Sequence, residues 1–371
     1  FEHKHDLLLV AEISHLQLRV YEILDNEDVE VLISKIKKEP IIEHVEANLI
    51  RKLQAMPSDP KFGEQWALHN TGQIVNGNVG RSDLDIDWPE AMEIFTGETE
   101  VIVAVIDSGV SLDHPELLPK MAFNQLEFDG VDFVDDDNNG YVDDFAGWDF
   151  YGDDGLALDE NGHGTLAASI IAAEEGNGQM GVGVSPTARI MPLRVLDAFN
   201  GSGTTFNIIG ATTYAAANGA RIINASFGGT GFSIFEERQY QWLLEQGILV
   251  IAAAGNGGSD VKGDDNDVNP FYPAGYPTVL SVAAIDRTGS IAPFSNYGDQ
   301  SVHLAAPGTD IFGADISRNI TYQQNFEGDV SDWTQFSNTD LIWTLFQDNS
   351  GNSWITDSVG QGGEPIFYEP D

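Results

Sequence analysis

The stretch Val101-Ile102-Val103-Ala104-Val105-Ile106-Asp107-Ser108-Gly109 decides the fold: six apolar residues in a row close on an acid and a turn. An unbroken apolar run of this length fits a strand covered on both faces, whereas a half-exposed strand alternates apolar with polar. Runs of the same kind recur at residues 190–196, 222–225, 248–254 and 279–284. Between them, residues 206–218 and 234–246 read as helices, each followed by a glycine (Gly219, Gly247) suited to a left-handed helix stop. Short apolar strands alternating with helices predict an α/β fold, a doubly wound and mostly parallel sheet over residues 57–318.

The flanking segments read differently. Residues 1–56 suggest a small α+β unit, with a strand at 16–24, an amphipathic helix at 28–38 and a strand at 41–49. Asp25 or Asn26 is the expected helix cap, and Pro40 follows the helix end. Met56-Pro57-Ser58-Asp59-Pro60 suits an exposed connection. Over residues 319–371 helical periodicity disappears. Trp333, Trp343 and Trp354 punctuate alternating segments separated by turn-forming residues, the pattern of a partial β-rich module.

Composition narrows the function. With 17 basic against 59 acidic side chains the formal net charge is −42, a field that repels nucleic-acid phosphates and anionic lipid surfaces. Neither nucleic acid nor membrane is an expected partner, and no apolar stretch reaches the roughly 18 residues of a membrane span. Phe1 to Val10 lacks the long apolar core of a signal peptide. There is no cysteine among the 371 residues, which excludes disulfides, thiolate nucleophiles and cysteine-ligated zinc.

Asp107 stands at the carboxyl end of its strand, where open α/β sheets place their sites. A strand-end acid more often caps the next turn or binds a cation. His163 lies in Asn161-Gly162-His163-Gly164-Thr165, just before the small-residue helix at 166–173. A lone histidine is likewise usually structural. Taken together they supply an acid to fix the imidazole tautomer and a base to take a hydroxyl proton.

Four blocks now resemble the signatures of the subtilases, the subtilisin-like serine proteases. They are Val105-Ile106-Asp107-Ser108-Gly109, Asn161-Gly162-His163-Gly164-Thr165, Asn224-Ala225-Ser226-Phe227-Gly228-Gly229 and Ala253-Ala254-Gly255-Asn256, in that family's order and spacing. The resemblance covers residues 57–318. It implies a secreted serine endopeptidase acting on proteins or peptides, in which Asp107 orients the base, His163 is the base and Asn256 donates its amide to the oxyanion. It further implies an extended peptide held between Gly201-Ser202-Gly203 and Ser226-Phe227-Gly228. Phe227 with Ala253 and Gly255 would line the pocket for the residue before the cut, and bulky apolar or aromatic side chains are expected there. One departure is Leu166, where the family commonly has a second histidine.

Asp135-Asp136-Asp137-Asn138-Asn139-Gly140-Tyr141-Val142-Asp143-Asp144 places oxygen side chains at alternate positions with glycine sixth, as calcium loops of the EF-hand kind do. Asp135, Asp137, Asn139, the Tyr141 carbonyl and Asp143 or Asp144 are the candidate Ca²⁺ ligands; the alternative is a solvated acidic loop. By resemblance, Glu116 and the Asn177 loop form another calcium site. The family's Gly-Thr-Ser block is expected soon after Ala306-Pro307-Gly308 and is not in this sequence. Ser331, Ser337, Ser350, Ser353 and Ser358 lack a helix-start context, so the nucleophile is expected beyond Asp371, separated from the other blocks by the inserted β module. Residues 1–56 then resemble the end of a propeptide that occupies the cleft and is released between about Leu49 and Asp59, the mature enzyme being a monomer. The competing readings are a catalytically inert subtilase relative that binds peptide or glycan, and a calcium-assisted hydrolase using Asp107 and His163 as ligands. The second lacks a cluster of neutral ligands.

Overall fold

The computed structural model describes residues 2–24, 27–47, 56–94, 99–257, 262–316, 344–347 and 353–356. Two compact units span 1–316 and 317–371. At the start of the first, Leu7–Ile13 (β1) pairs antiparallel with Leu18–Ile23 (β2), and the helix Val29–Ile36 (α1) follows. Leu7, Leu32 and Ile36 are buried together, with Tyr21, Ile23, Ile42 and Val45 packed on them. The expected helix is present, as is the strand expected at 16–24 (β2), but the helix is capped by Asp28, whose Oδ1 accepts the Val31 amide at 3.1 Å. Asp25 and Asn26 lie outside the described residues. The strand expected at 41–49 is not formed within residues 41–47, and β1 takes its place as the partner of β2. Ile42 and Val45 satisfy their apolar character by packing on the cluster, which needs no ladder hydrogen bonds.

The main sheet is built as the apolar runs require. A two-residue hairpin, Ile74–Val75 (β3) with Asn78–Val79 (β4), and the helix Trp88–Ile94 (α2) precede it. Then come Val101–Asp107 (β5), Gln125–Phe128 (α3), Trp148–Asp149 (β6), His163–Ala172 (α4) and Ala188–Arg194 (β7). Thr205–Ala217 (α5), Ile222–Ala225 (β8), Ile234–Glu245 (α6), Leu249–Ala253 (β9), Val279–Ile285 (β10) and Leu304–Pro307 (β11) complete it. The strand order is β11-β10-β9-β8-β5-β7-β6, and every neighbouring pair is parallel.

Both faces are covered. Ala104 and Ile106 of β5 join the core beneath α5 and α6, whereas Val103 and Val105 pack beneath α4. All four are 5% exposed or less, and each fully buried branched side chain stabilises the fold by about 1.5–3 kcal/mol. Thr204 caps α5 and Ser233 caps α6 through their hydroxyls. Gly219 and Gly247, at φ 86° and 75°, end these helices in the left-handed conformation that glycine tolerates. Because β7 and β8 lie on opposite sides of β5, successive crossovers leave a crevice at the carboxyl ends of β5 and β8. In the second unit, Thr344–Gln347 (β12) pairs antiparallel with Ser353–Thr356 (β13), with Phe346 opposite Trp354 in register. Trp333 and Trp343 fall outside the described residues.

Candidate active site

Asp107 is the last residue of β5 and is completely buried. Its Oδ1 accepts the Ser108 amide at 2.7 Å and lies 2.7 Å from His163 Nδ1. A carboxylate there can only accept, so the imidazole carries its proton on Nδ1 and leaves Nε2 as the basic nitrogen. The hydrogen bond to Asp107 holds the imidazole pKa above the ordinary 6.5, against partial burial, which lowers it. His163 opens α4 because Gly162, at φ 102°, turns the chain into the helix. A Cβ on Gly164 would lie 2.0 Å from the Gly109 carbonyl oxygen and 3.1 Å from Asp107 Cβ. Only glycine lets the helix start come this close to the strand end.

Asp159 organises the same corner, and nothing in its spacing singled it out. Oδ1 accepts the Ser108 hydroxyl and the amides of Asn161 and Gly162, each at 2.9 Å. Oδ2 accepts the Thr165 amide at 2.9 Å and the Thr165 hydroxyl at 2.6 Å. Since Gly162 has no capping side chain, this carboxylate serves as the cap of α4 from four residues upstream of His163. At Leu166, the side chain packs against Gly313, and Ser169 Oγ accepts the Ala314 amide at 2.8 Å.

A groove of about 500 Å³ opens beside the pair. Asp107, His163, Gly201, Ser202, Gly203, Ser226, Phe227 and Gly228 all line it, as expected. Ala253, Gly255 and Asn256 do not; Ala253 ends the adjoining strand β9, and Gly255, at φ 110°, and exposed Asn256 follow it. The reason is Phe271. A Cβ on Gly228 would meet its ring at 2.3 Å and one on Gly255 at 3.0 Å, so the ring fills the space between the two glycines. Reciprocal backbone hydrogen bonds between Gly229 and Tyr272, at 2.8 and 2.7 Å, hold it there. The Asn256 loop is braced from below by two nearly buried amides. Asn296 Oδ1 accepts the Gly257 and Asp264 amides, and its Nδ2 donates to Asn266 Oδ1, whose own Nδ2 donates to the Ala254 carbonyl.

The Subtilase family model matches residues 98–354. The chain belongs to the subtilase family. It is 32% identical over 303 residues to the thermophilic serine proteinase of Bacillus sp. (strain AK1), covering 81% of this chain and 64% of that protein. It is 31% identical over 277 residues to the halolysin-like extracellular serine protease Nep of Natrialba magadii, covering 75% and 44% respectively. This subtilase thus spans less than two thirds of either relative. A solved protease from Pseudoalteromonas arctica superposes with a TM-score of 0.52 at 28% identity, covering 68% of this chain and 73% of that one.

Two acidic sites lie outside the groove of this subtilase. In the 135–144 loop, Asp135 Oδ1 and Asp137 Oδ1 both accept the Asn139 amide, at 3.0 and 2.9 Å. The carboxylate that joins them is Glu127 of α3: one oxygen from each of Glu127, Asp135 and Asp137 falls within 4.8 Å of the others. Asp143 and Asp144 are held by other partners, and Asp144 shares the Asn124 and Asn139 amide donors with Asp137. Asp143 accepts the Phe133 amide, and buried Asp144 is held by the Tyr214 hydroxyl at 2.6 Å and by Asn124 and Asn139. Tyr141 fixes the loop to the core through edge-on contacts with Trp148 and Tyr214, centroids 4.9 Å apart in each case. The second site surrounds Glu116, which is fully buried with Oε2 unpartnered; Asn177 Nδ2 is also buried without a partner. Asp59, which the sequence placed only in a connection, joins them by accepting the Gly176 and Gly178 amides at 2.8 and 3.3 Å.

Proposed function

We propose that this subtilase is the larger part of a secreted serine endopeptidase made as a zymogen. The observation that carries this reading is the 2.7 Å bond between His163 Nδ1 and Asp107 Oδ1 at the mouth of a peptide-sized groove. Nε2 accepts the proton of a serine hydroxyl as that oxygen attacks the scissile carbonyl. Asp107 then stabilises the imidazolium, which returns the proton to the leaving amine. Asn256 donates to the oxyanion from its braced loop. The serine lies beyond Asp371, so residues 1–371 alone give only a residual rate.

The substrate is a protein or peptide laid in extended form against Gly201–Gly203 and Ser226–Gly228, whose backbone groups bind it irrespective of side chain. Phe271 restricts the residue before the cut to small side chains. Residues 1–56 act as the propeptide, filling the cleft until cut between Leu49 and Asp59. The released enzyme is an extracellular monomer. The relative from Natrialba magadii is itself named as extracellular.

Calcium fits both acidic sites. Glu127, Asp135 and Asp137 each offer an oxygen around one point, and Glu116 supplies a buried carboxylate oxygen without a partner, with Asp59 held on the 176–178 loop that precedes the Met180 contact of Glu116. Bound Ca²⁺ neutralises carboxylates held this close and ties distant segments together. The decisive experiment extends the reading frame past Asp371 and treats the folded product with a fluorophosphonate. Covalent labelling lost in His163→Ala supports the protease; a folded, extended chain that never labels overturns it.

A further inference from the structure

The groove holds one charged side chain that the proteolytic chemistry does not use. Glu236 is the third residue of α6, 7% exposed, and lines the groove. Its Oε2 accepts the Tyr276 hydroxyl at 2.9 Å. Oε1 has no hydrogen bond among the described residues, yet it is not sealed from solvent. A purely structural role is present in part: Ser233 and Glu236 have the spacing of a capping box, with the Tyr276 hydroxyl interposed between the Ser233 amide and the carboxylate. That role occupies one oxygen and leaves Oε1 without a hydrogen bond among the described residues, in a side chain that lines the groove.

Among the described residues, no lysine or arginine lines the groove to neutralise Glu236. Tyr272, also in the lining, offers a ring face along which an aliphatic stem can lie. Glu236 and His163 approach the groove from opposite faces of the sheet, since α6 packs on the Ala104 and Ile106 side and α4 on the Val103 and Val105 side. An extended peptide spanning the groove thus meets them at different residues.

We propose that Glu236 forms a cation-selecting subsite, accepting the ammonium or guanidinium of a basic side chain at one position of the bound peptide, away from the scissile bond. The proposal rests on the reading of the groove as a peptide cleft, and it needs no catalysis to be tested. Fluorescently tagged alanine hexapeptides, with a single lysine or a single norleucine moved through each position, are titrated into the chain cut between Leu49 and Asp59 and freed of residues 1–56, and followed by anisotropy. At one position lysine binds about tenfold more tightly than norleucine, as a charge-assisted hydrogen bond provides. The advantage vanishes in Glu236→Gln, which keeps an acceptor for Tyr276. In the unmutated chain it shrinks as salt rises from about 0.05 M to about 0.5 M, a readout that stands even where the variant does not fold. Norleucine peptides that bind with no position favouring lysine overturn the subsite and leave the cleft reading intact. A lysine preference that persists in folded Glu236→Gln also overturns it. If no peptide binds at all, the cleft reading fails and the subsite with it.

Discussion

Replacing Asp159 by alanine tests whether one carboxylate assembles the catalytic corner. Five hydrogen bonds end on it, from Ser108, Asn161, Gly162 and the amide and hydroxyl of Thr165. Losing a helix cap costs about 0.5–2 kcal/mol. The Thr165 and Ser108 hydroxyls, in residues 0% and 1% exposed, each lose a bond to a charged acceptor worth about 1.5–3 kcal/mol, discounted because Asp159 itself is partly exposed. Together these give a destabilisation of roughly 2–5 kcal/mol, or a fall in melting temperature of roughly 4–20 °C at about 2–4 °C per kcal/mol. Asp159→Asn retains acceptor capacity without charge and should fall between the two. The assay is thermal unfolding of the three proteins, paired with NMR titration of His163, because the Asp159 charge also helps raise that imidazole's pKa. An Asp159→Ala protein within about 0.5 kcal/mol of the parent, with His163 titrating unchanged, refutes the idea that Asp159 holds this corner.

His163 should titrate above 6.5 in the native chain and lower in Asp107→Asn, where burial acts without the opposing carboxylate charge; NMR of the ring protons reads this. Because the folded pKa is raised, the pair's contribution to stability is complete below the unfolded value of about 6.5 and is lost as pH rises through the folded value. Unfolding measured across that window in parent and Asp107→Asn checks the sign. Calcium at 100 times its dissociation constant should add about 2.7 kcal/mol per site, so a chelator lowers the melting temperature. Glu127→Gln should remove part of that response, and a melting curve indifferent to chelator excludes both calcium sites. In a chain extended to include the serine, Phe271→Ala should raise kcat/KM about tenfold or more for substrates with phenylalanine before the cut, relative to alanine. An unchanged ratio means that the ring does not fill the pocket.

The doubly wound sheet was legible because its signals are local. Six apolar residues in a row specify a buried strand wherever they occur, and β5, β8 and β10 lie where their runs lie. The same holds for Asp107 and His163: one ends a strand and the other starts a helix, and the glycines between them announce a close approach. The N-terminal strand pairing was not legible, since the 41–49 stretch has apolar residues able to pack as well as to pair, and only competition with β1 decides.

Sequence by itself determined the elements and the chemistry they carry, because strand burial, helix capping and the order of motifs are properties of neighbours along the chain. The tertiary structure alone decided that Phe271 fills the space between Gly228 and Gly255, that Glu127 joins Asp135 and Asp137 of the aspartate loop, and that Glu236 lines the groove. Each of these depends on side chains meeting across tens of residues, and the direction in which a side chain points follows from how whole elements pack rather than from its neighbours in sequence.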